Sequence, residues 1–175
     1  MQKIVGTFGL IGGALLALMM LATLPFQDRI GFDKGVVVGY TTMVLAFLMV
    51  YFGVRSYRDS VGGALSFGRA FAVGLLITLV ITVCYVVTWE VIYFGFMPDF
   101  VAKYTAFALE KAKEGGASDA ELARRAKELS DFAAMYRNPL VNIAFAFLEP
   151  LPVGLVFTLI TAGVLGRGTR GTRAS

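Results

Sequence analysis

Ala70 to Met97 reads AFAVGLLITLVITVCYVVTWEVIYFGFM, a run of 28 residues whose one charged group is Glu90. A helix needs roughly 20 apolar residues to cross hydrocarbon, so this run is long enough to span with some tilt. In that solvent a backbone finds no partner outside its own segment, which dictates a helix. Ile4 to Phe26, Val36 to Val54 and Leu140 to Leu165 have the same character. The whole chain agrees with them: 175 residues are 57% hydrophobic, with mean hydropathy +0.73, against about 45–50% apolar content in soluble domains. The expectation is an all-α integral membrane protein in one domain, with four transmembrane helices over 4–26, 36–54, 70–97 and 140–165. A membrane barrel needs alternating polar and apolar positions, and these blocks are apolar all round. The first block has a second reading as a cleaved signal peptide, with Lys3 as charged start and Ala22 near a cut. Its apolar run exceeds the usual ~7–15 residues, and Met20 stands where a small residue belongs.

Several chemistries leave with the missing residues. The chain has no His and one Cys, Cys84, which excludes Ser-His and Cys-His nucleophiles, His-ligated metals, zinc sites and an internal disulfide. No cofactor, no metal site and no enzyme activity are expected.

Basic residues set the orientation, because loops rich in Lys and Arg stay cytoplasmic. Lys3, Arg55, Arg58, Arg69, Arg167, Arg170 and Arg173 fall on one side against Asp59 alone, a net of +6. On the other side Arg29 and Lys34 balance Asp28 and Asp33, and the long segment 98–138 holds seven basic and seven acidic residues. Both termini, the basic loop 55–69 and the basic tail 166–175 are therefore expected in the cytoplasm. Topology thus explains the pI of about 9.3. The cytoplasmic pieces are too short to read a nucleic-acid groove, and anionic headgroups are the natural partner of these arginines.

Helices associate in lipid where small residues let backbones approach. Ala70, Gly74, Thr78 and Thr82 recur at steps of four, as do Pro150, Gly154, Thr158, Ala162 and Gly166. These ladders predict close antiparallel packing of spans three and four, with a homodimer face as the alternative. Gly9, Gly13 and Ala17, and Gly35 with Gly39, are shorter examples of the same pattern.

Segment 98–138 divides at Gly115-Gly116 into two amphipathic halves, an extracytoplasmic helical hairpin between spans three and four. Ser118 and Glu121 have capping-box spacing, and Leu122, Ala126, Leu129, Ala133 and Tyr136 make an apolar stripe. The halves are expected to pack on each other and on the membrane surface; a docking face for a partner is the sharper reading.

Ionisable groups within spans are costly and come first as candidate sites. Glu90 lies roughly 30 Å beyond Ala70, beside the belt-forming Trp89 and Tyr93, where it can simply reach headgroups. Glu149 lies roughly 16 Å in from Asn138, near mid-membrane, and Asn142 shares its helix face. Pro150 and Pro152 remove the donors that Ala146 and Leu148 carbonyls would use, so a kink is expected. A carboxyl group beside such carbonyls suits an ion or proton site. The plainer reading, a structural Glu partnered by Thr82 or Tyr85 of span three, is preferred, because one carboxylate without a basic group at its depth makes no pathway. Arg55, Arg58 and Arg69 surround Gly62-Gly63 and Ser66, which is placed to cap span three; they are candidate headgroup contacts and lack P-loop spacing.

Ser56-Tyr57-Arg58-Asp59, Gly62-Gly63, Ser66-Phe67-Gly68, Met97-Pro98-Asp99-Phe100, Tyr136-Arg137-Asn138-Pro139 and Phe147-Leu148-Glu149-Pro150-Leu151-Pro152-Val153-Gly154 occur in that order. This succession resembles the bacterial membrane-protein family catalogued as domain of unknown function 4199, from span two to span four. The resemblance implies a four-helix membrane protein without assigned activity and brings no catalytic residues. With packing ladders, an outer hairpin and no reactive constellation, the chain is expected to be a non-enzymatic interaction or accessory subunit of the bacterial inner membrane, with a homo-oligomer or another membrane protein as partner. The alternative is a small proton- or ion-coupled transporter using Glu149 beside the prolines.

Overall fold

The computed structural model describes residues 1–166, and every regular element in that range is helical. The elements are α1 (Gln2–Thr23), a 3-10 turn (Leu24–Phe26), α2 (Gln27–Ser60), α3 (Phe67–Phe96), α4 (Phe100–Glu114), α5 (Asp119–Tyr136), α6 (Pro139–Leu148) and α7 (Leu151–Leu165). Three stretches among the described residues are long and apolar enough to cross a membrane: Gln2–Ser60, Phe67–Phe96 and Pro139–Leu165. The basic tail with Arg167, Arg170 and Arg173 lies outside the described residues.

The first stretch is not one rod. Pro25 sits in the 3-10 turn without an N–H to donate, and Gly31 adopts φ 69, ψ 168 inside α2, a backbone state only glycine holds without strain. The two limbs then fold onto each other, with Gly53 against Phe8 and Gly12 against the Ala46 carbonyl oxygen. The helix also runs further than the hydropathy suggested: it continues through Arg55 and Arg58 to Ser60. Within the basic segment 55–69, the non-helical connection is residues 61–66. Arg, Tyr and Asp there carry ordinary helical propensity, and the chain leaves the helix only where Gly62 and Gly63 take φ 88 and 87.

The four-step ladders of α3 and α7 meet in antiparallel order. Gly74 faces Thr158, Gly154 faces Thr78 and Phe47, and Gly166 faces the Phe67 backbone. The Thr78 and Thr158 hydroxyls share a hydrogen bond of 3.0 Å, and Ala70 and Ala162 are fully buried. Gly9 and Gly13 of α1 lie against Val80 and Cys84 of α3. Gly35 and Gly39, read from spacing as the same device, have no atom within 4 Å of where a Cβ would stand. Spacing alone reports a small surface; a partner is needed to make it a seam.

Polarity is distributed as lipid requires. Thr42, Thr78, Thr82, Asn142, Thr158 and Thr161 are buried, while Leu10, Leu18, Val83, Val87, Leu159, Ile160 and Val164 face outward. An apolar surface of this extent marks contact with membrane or partner.

At the end opposite Arg55, Arg58 and Arg69, α4 and α5 pack on each other, which leaves Leu122, Ala126, Leu129 and Ala133 half-buried. Ser118 accepts from the Glu121 N–H at 3.3 Å, but Glu121 does not reciprocate; its carboxylate takes Arg125 at 2.7 Å instead. Ser66 holds the N-cap position of α3 without a side-chain hydrogen bond. Phe32, just past the Gly31 break, seats among Phe100, Tyr104 and Phe107 of α4, with ring centroids 5.1–5.8 Å apart. Lys103 bridges Asp28 and Asp99 at 3.4 Å each, and Lys111 pairs with Asp33. These contacts close α4 over the corner between α1 and α2.

Candidate functional site: the Glu149 cavity

Glu149 stands where Pro150 and Pro152 interrupt the last apolar stretch. Its N–H still donates to the Phe145 carbonyl at 3.1 Å, and both Glu149 and Pro150 keep right-handed helical backbone. The prolines therefore divide the run into α6 and α7 by withholding donors rather than by unwinding it. The Tyr85 phenol of α3, 7% exposed, donates to Glu149 Oε2 at 2.6 Å. Glu149 itself is exposed and faces a cavity of about 860 Å³.

One turn beyond Tyr85, Trp89 joins α3 to α6 and α5. Its indole N–H donates to Asn142 Oδ1 at 2.9 Å and lies 3.2 Å from the Tyr136 hydroxyl. Trp89 has a single donor, so the shorter bond to Asn142 dominates. Asn142 is 0% exposed, and its Nδ2 has no partner among the described residues. Tyr136, at the end of α5, stacks among Tyr93, Phe132 and Phe145. Burial pushes its phenol up to about 12, against the opposing pull of the Trp89 hydrogen bond.

The five polar residues singled out from sequence do not form one cluster. Tyr85 and Glu149 are bonded; Asn142 belongs to Trp89; Thr82 is buried with its hydroxyl unpartnered and does not reach Glu149. Glu90 stands apart, with one carboxyl oxygen buried and unpartnered. At the other end of the bundle Arg58 pairs with Asp59 at 3.3 Å. Arg55 and Arg69 are exposed and make no ion pair among the described residues.

The cavity is the feature that local sequence patterns do not announce. Leu16, Met43, Tyr85 and Glu149 line its deep end. One turn further toward the arginines, Gly12 is hemmed by Ile81 and the Ala46 carbonyl oxygen, so α1, α2 and α3 close there. Gly35 and Gly39 give the cavity its width on α2; Phe100, Lys103 and Phe107 of α4 lie across its upper part. Trp89, Tyr136, Asp28, Lys103 and Tyr40 are lining residues that sequence reasoning did not assign. Trp89 carried the one available signal, as the chain's single Trp beside an ionisable residue within an apolar run.

Helices throughout the described residues, with apolar outward faces and threonines within, define the class: helices of membrane-spanning type around a cavity. Residues 7–167 match the family described as Protein of unknown function (DUF4199), and the chain belongs to it. No curated protein and no solved structure matches the chain.

Proposed function

We propose that this protein is a small multi-pass carrier of the bacterial inner membrane that receives its cargo in the Glu149 cavity. In this reading the first stretch crosses twice, giving four crossings. The termini and the 61–66 connection are cytoplasmic, α4 and α5 are extracytoplasmic, and Arg55, Arg58 and Arg69 rest on anionic headgroups. The observation that carries the reading is the cavity of about 860 Å³ ending on a carboxylate. A volume in the ~300–1,000 Å³ range suits a small molecule, and pockets between helices are where bundles bind them. Closed below Gly12 and bounded above by Phe100, Lys103 and Phe107 of α4, it differs at its two ends, as a carrier in one of its two access states does.

Two observations favour the carrier over the accessory-subunit reading. The small-residue ladders are spent on packing α3 against α7 inside one chain, and the α5 stripe is half-covered by α4. Enzyme chemistry is set aside because Glu149 and Tyr85 offer acid groups without a nucleophile and base in triad geometry.

Gly39→Cys in a Cys84→Ser chain tests the reading, since Gly39 lines the cavity with open space around it. A hydrophilic maleimide added to sealed vesicles from the α4 side should label it at a rate comparable to Gly116→Cys. Protection of Gly39→Cys at the level of a lipid-facing Val87→Cys would sink the proposal.

A further inference from the structure

We propose that the cavity selects lipophilic organic cations, hydrophobic amines or onium compounds, seating the positive centre at the Glu149 carboxylate. The inference rests on the carrier reading and adds the class of ligand.

Charge comes first. The cavity wall carries four carboxylates, from Asp28, Asp99, Glu110 and Glu149, against one ammonium, Lys103. Lys103 is already held between Asp28 and Asp99 at 3.4 Å each, so it is committed to the wall. The lining therefore has a formal net charge of −3, which opposes an anion and offers no free cation to receive it. Of the carboxylates, Glu149 is the deepest, and only its Oε2 is engaged, by Tyr85. Its Oε1 has no hydrogen-bond partner among the described residues.

The rest of the wall decides which cation. Eight of the lining residues are aromatic, with Tyr40, Tyr85, Trp89 and Tyr136 around the deep half. Ring faces attract cations, most strongly where water is excluded. A small inorganic ion would have to shed its hydration for a cage of several oxygen ligands, and among the described residues no three Asp, Glu or Cys side chains come together to form one. An organic cation carries its charge on a weakly hydrated, apolar body. It satisfies Glu149 and the aromatic wall at once.

Tetraphenylphosphonium and tetraphenylborate make the test, because they share four phenyl rings and nearly equal size but have opposite charge. The full chain carries one Trp, and Trp89 lines the cavity, so its emission in nanodiscs of zwitterionic lipid reports occupancy directly. The expected result is saturable quenching by the phosphonium, no saturable quenching by the borate, and a loss of phosphonium affinity of at least about tenfold in Glu149→Gln. Glu149→Asp keeps the charge, retains part of the affinity, and covers the case in which the Gln variant does not fold. Equal binding of both ions overturns cation selection and leaves the carrier reading standing. Binding of neither overturns both. Phosphonium binding that is unchanged in Glu149→Gln and Glu149→Asp overturns the seat assigned to the carboxylate.

Discussion

Gly154→Ala probes the tightest point of the α3–α7 seam. A methyl at residue 154 overlaps Thr78 Cγ2 and comes within 2.8 and 3.0 Å of the Phe47 ring. Phe47 is 0% exposed, so it has nowhere to swing, and the helices themselves must separate. Overpacking of this kind costs about 1–3 kcal/mol, and parting the helices also stretches the Thr78–Thr158 hydrogen bond, worth about 0.6 kcal/mol in a membrane. Alanine returns about 0.5–1 kcal/mol of helix propensity. The net expectation is a loss of about 1–2 kcal/mol. Gly74→Ala is the graded control: its methyl meets Thr158 and Val50 at 3.1 and 3.3 Å, contacts that a few tenths of an ångström relieve, so gain and loss nearly cancel. Gly39→Ala has nothing within 4 Å and should be neutral or slightly stabilising. Unfolding in mixed micelles by added SDS, followed by helical ellipticity, ranks the three against the parent chain. If Gly154→Ala unfolds at the same SDS fraction as Gly39→Ala, the close approach of α3 and α7 is wrong.

Trp89→Phe strips Asn142 of its one side-chain donor while leaving the amide enclosed, an expected loss of about 1–3 kcal/mol in the same titration. Adding Asn142→Leu should recover most of it, and a double variant no better than the single one would refute the pairing. Asp99 and Asp28, by hydrogen bonding to Lys103, hold its ammonium above the ordinary 10.5. A group whose folded value is raised contributes fully below the unfolded value and loses that contribution as pH climbs through the folded one. Thermal unfolding above pH 10.5 should therefore show an alkaline loss that Lys103→Met lacks; equal losses in both chains would remove Lys103 from the latch on α4. Orientation is open to a third measurement: with Cys84→Ser as background, an impermeant maleimide should label Gly116→Cys in intact cells and Val61→Cys only in inverted membranes. The reverse pattern would place the arginines outside.

What the sequence made legible was local. Four apolar blocks, the helix stop at Gly115-Gly116 and the ladders through Gly74 and Gly154 depend on residues a few positions apart, and periodicity reports these well. The interruption at Pro150 was equally readable, because a missing N–H is a property of the residue itself. Where a helix ends is less legible than where an apolar block ends. Hydropathy marks where the chain becomes polar, whereas Arg55 to Ser60 of α2 stay helical on propensity until the glycines force a turn.

The cavity lies beyond such signals because it is a gap between elements distant in the chain. Gly9 with Gly13 and Gly35 with Gly39 are the same motif on paper. The first pair is covered by Val80 and Cys84, and the second is left open. What separates them is Gly31, whose left-handed backbone divides α2, and Phe32, which docks the corner onto α4. Neither residue belongs to a recognisable pattern, yet together they set the width of the chamber that Glu149 closes. The same division bears on function: Tyr85 fixes one oxygen of Glu149 through a contact across 64 positions, and the unfilled space beside the other gives that carboxylate something to do beyond holding the fold. A carboxyl group satisfied on both sides would have been structural. One satisfied on a single side, in an acidic, aromatic chamber, fits the seat proposed for a positive charge.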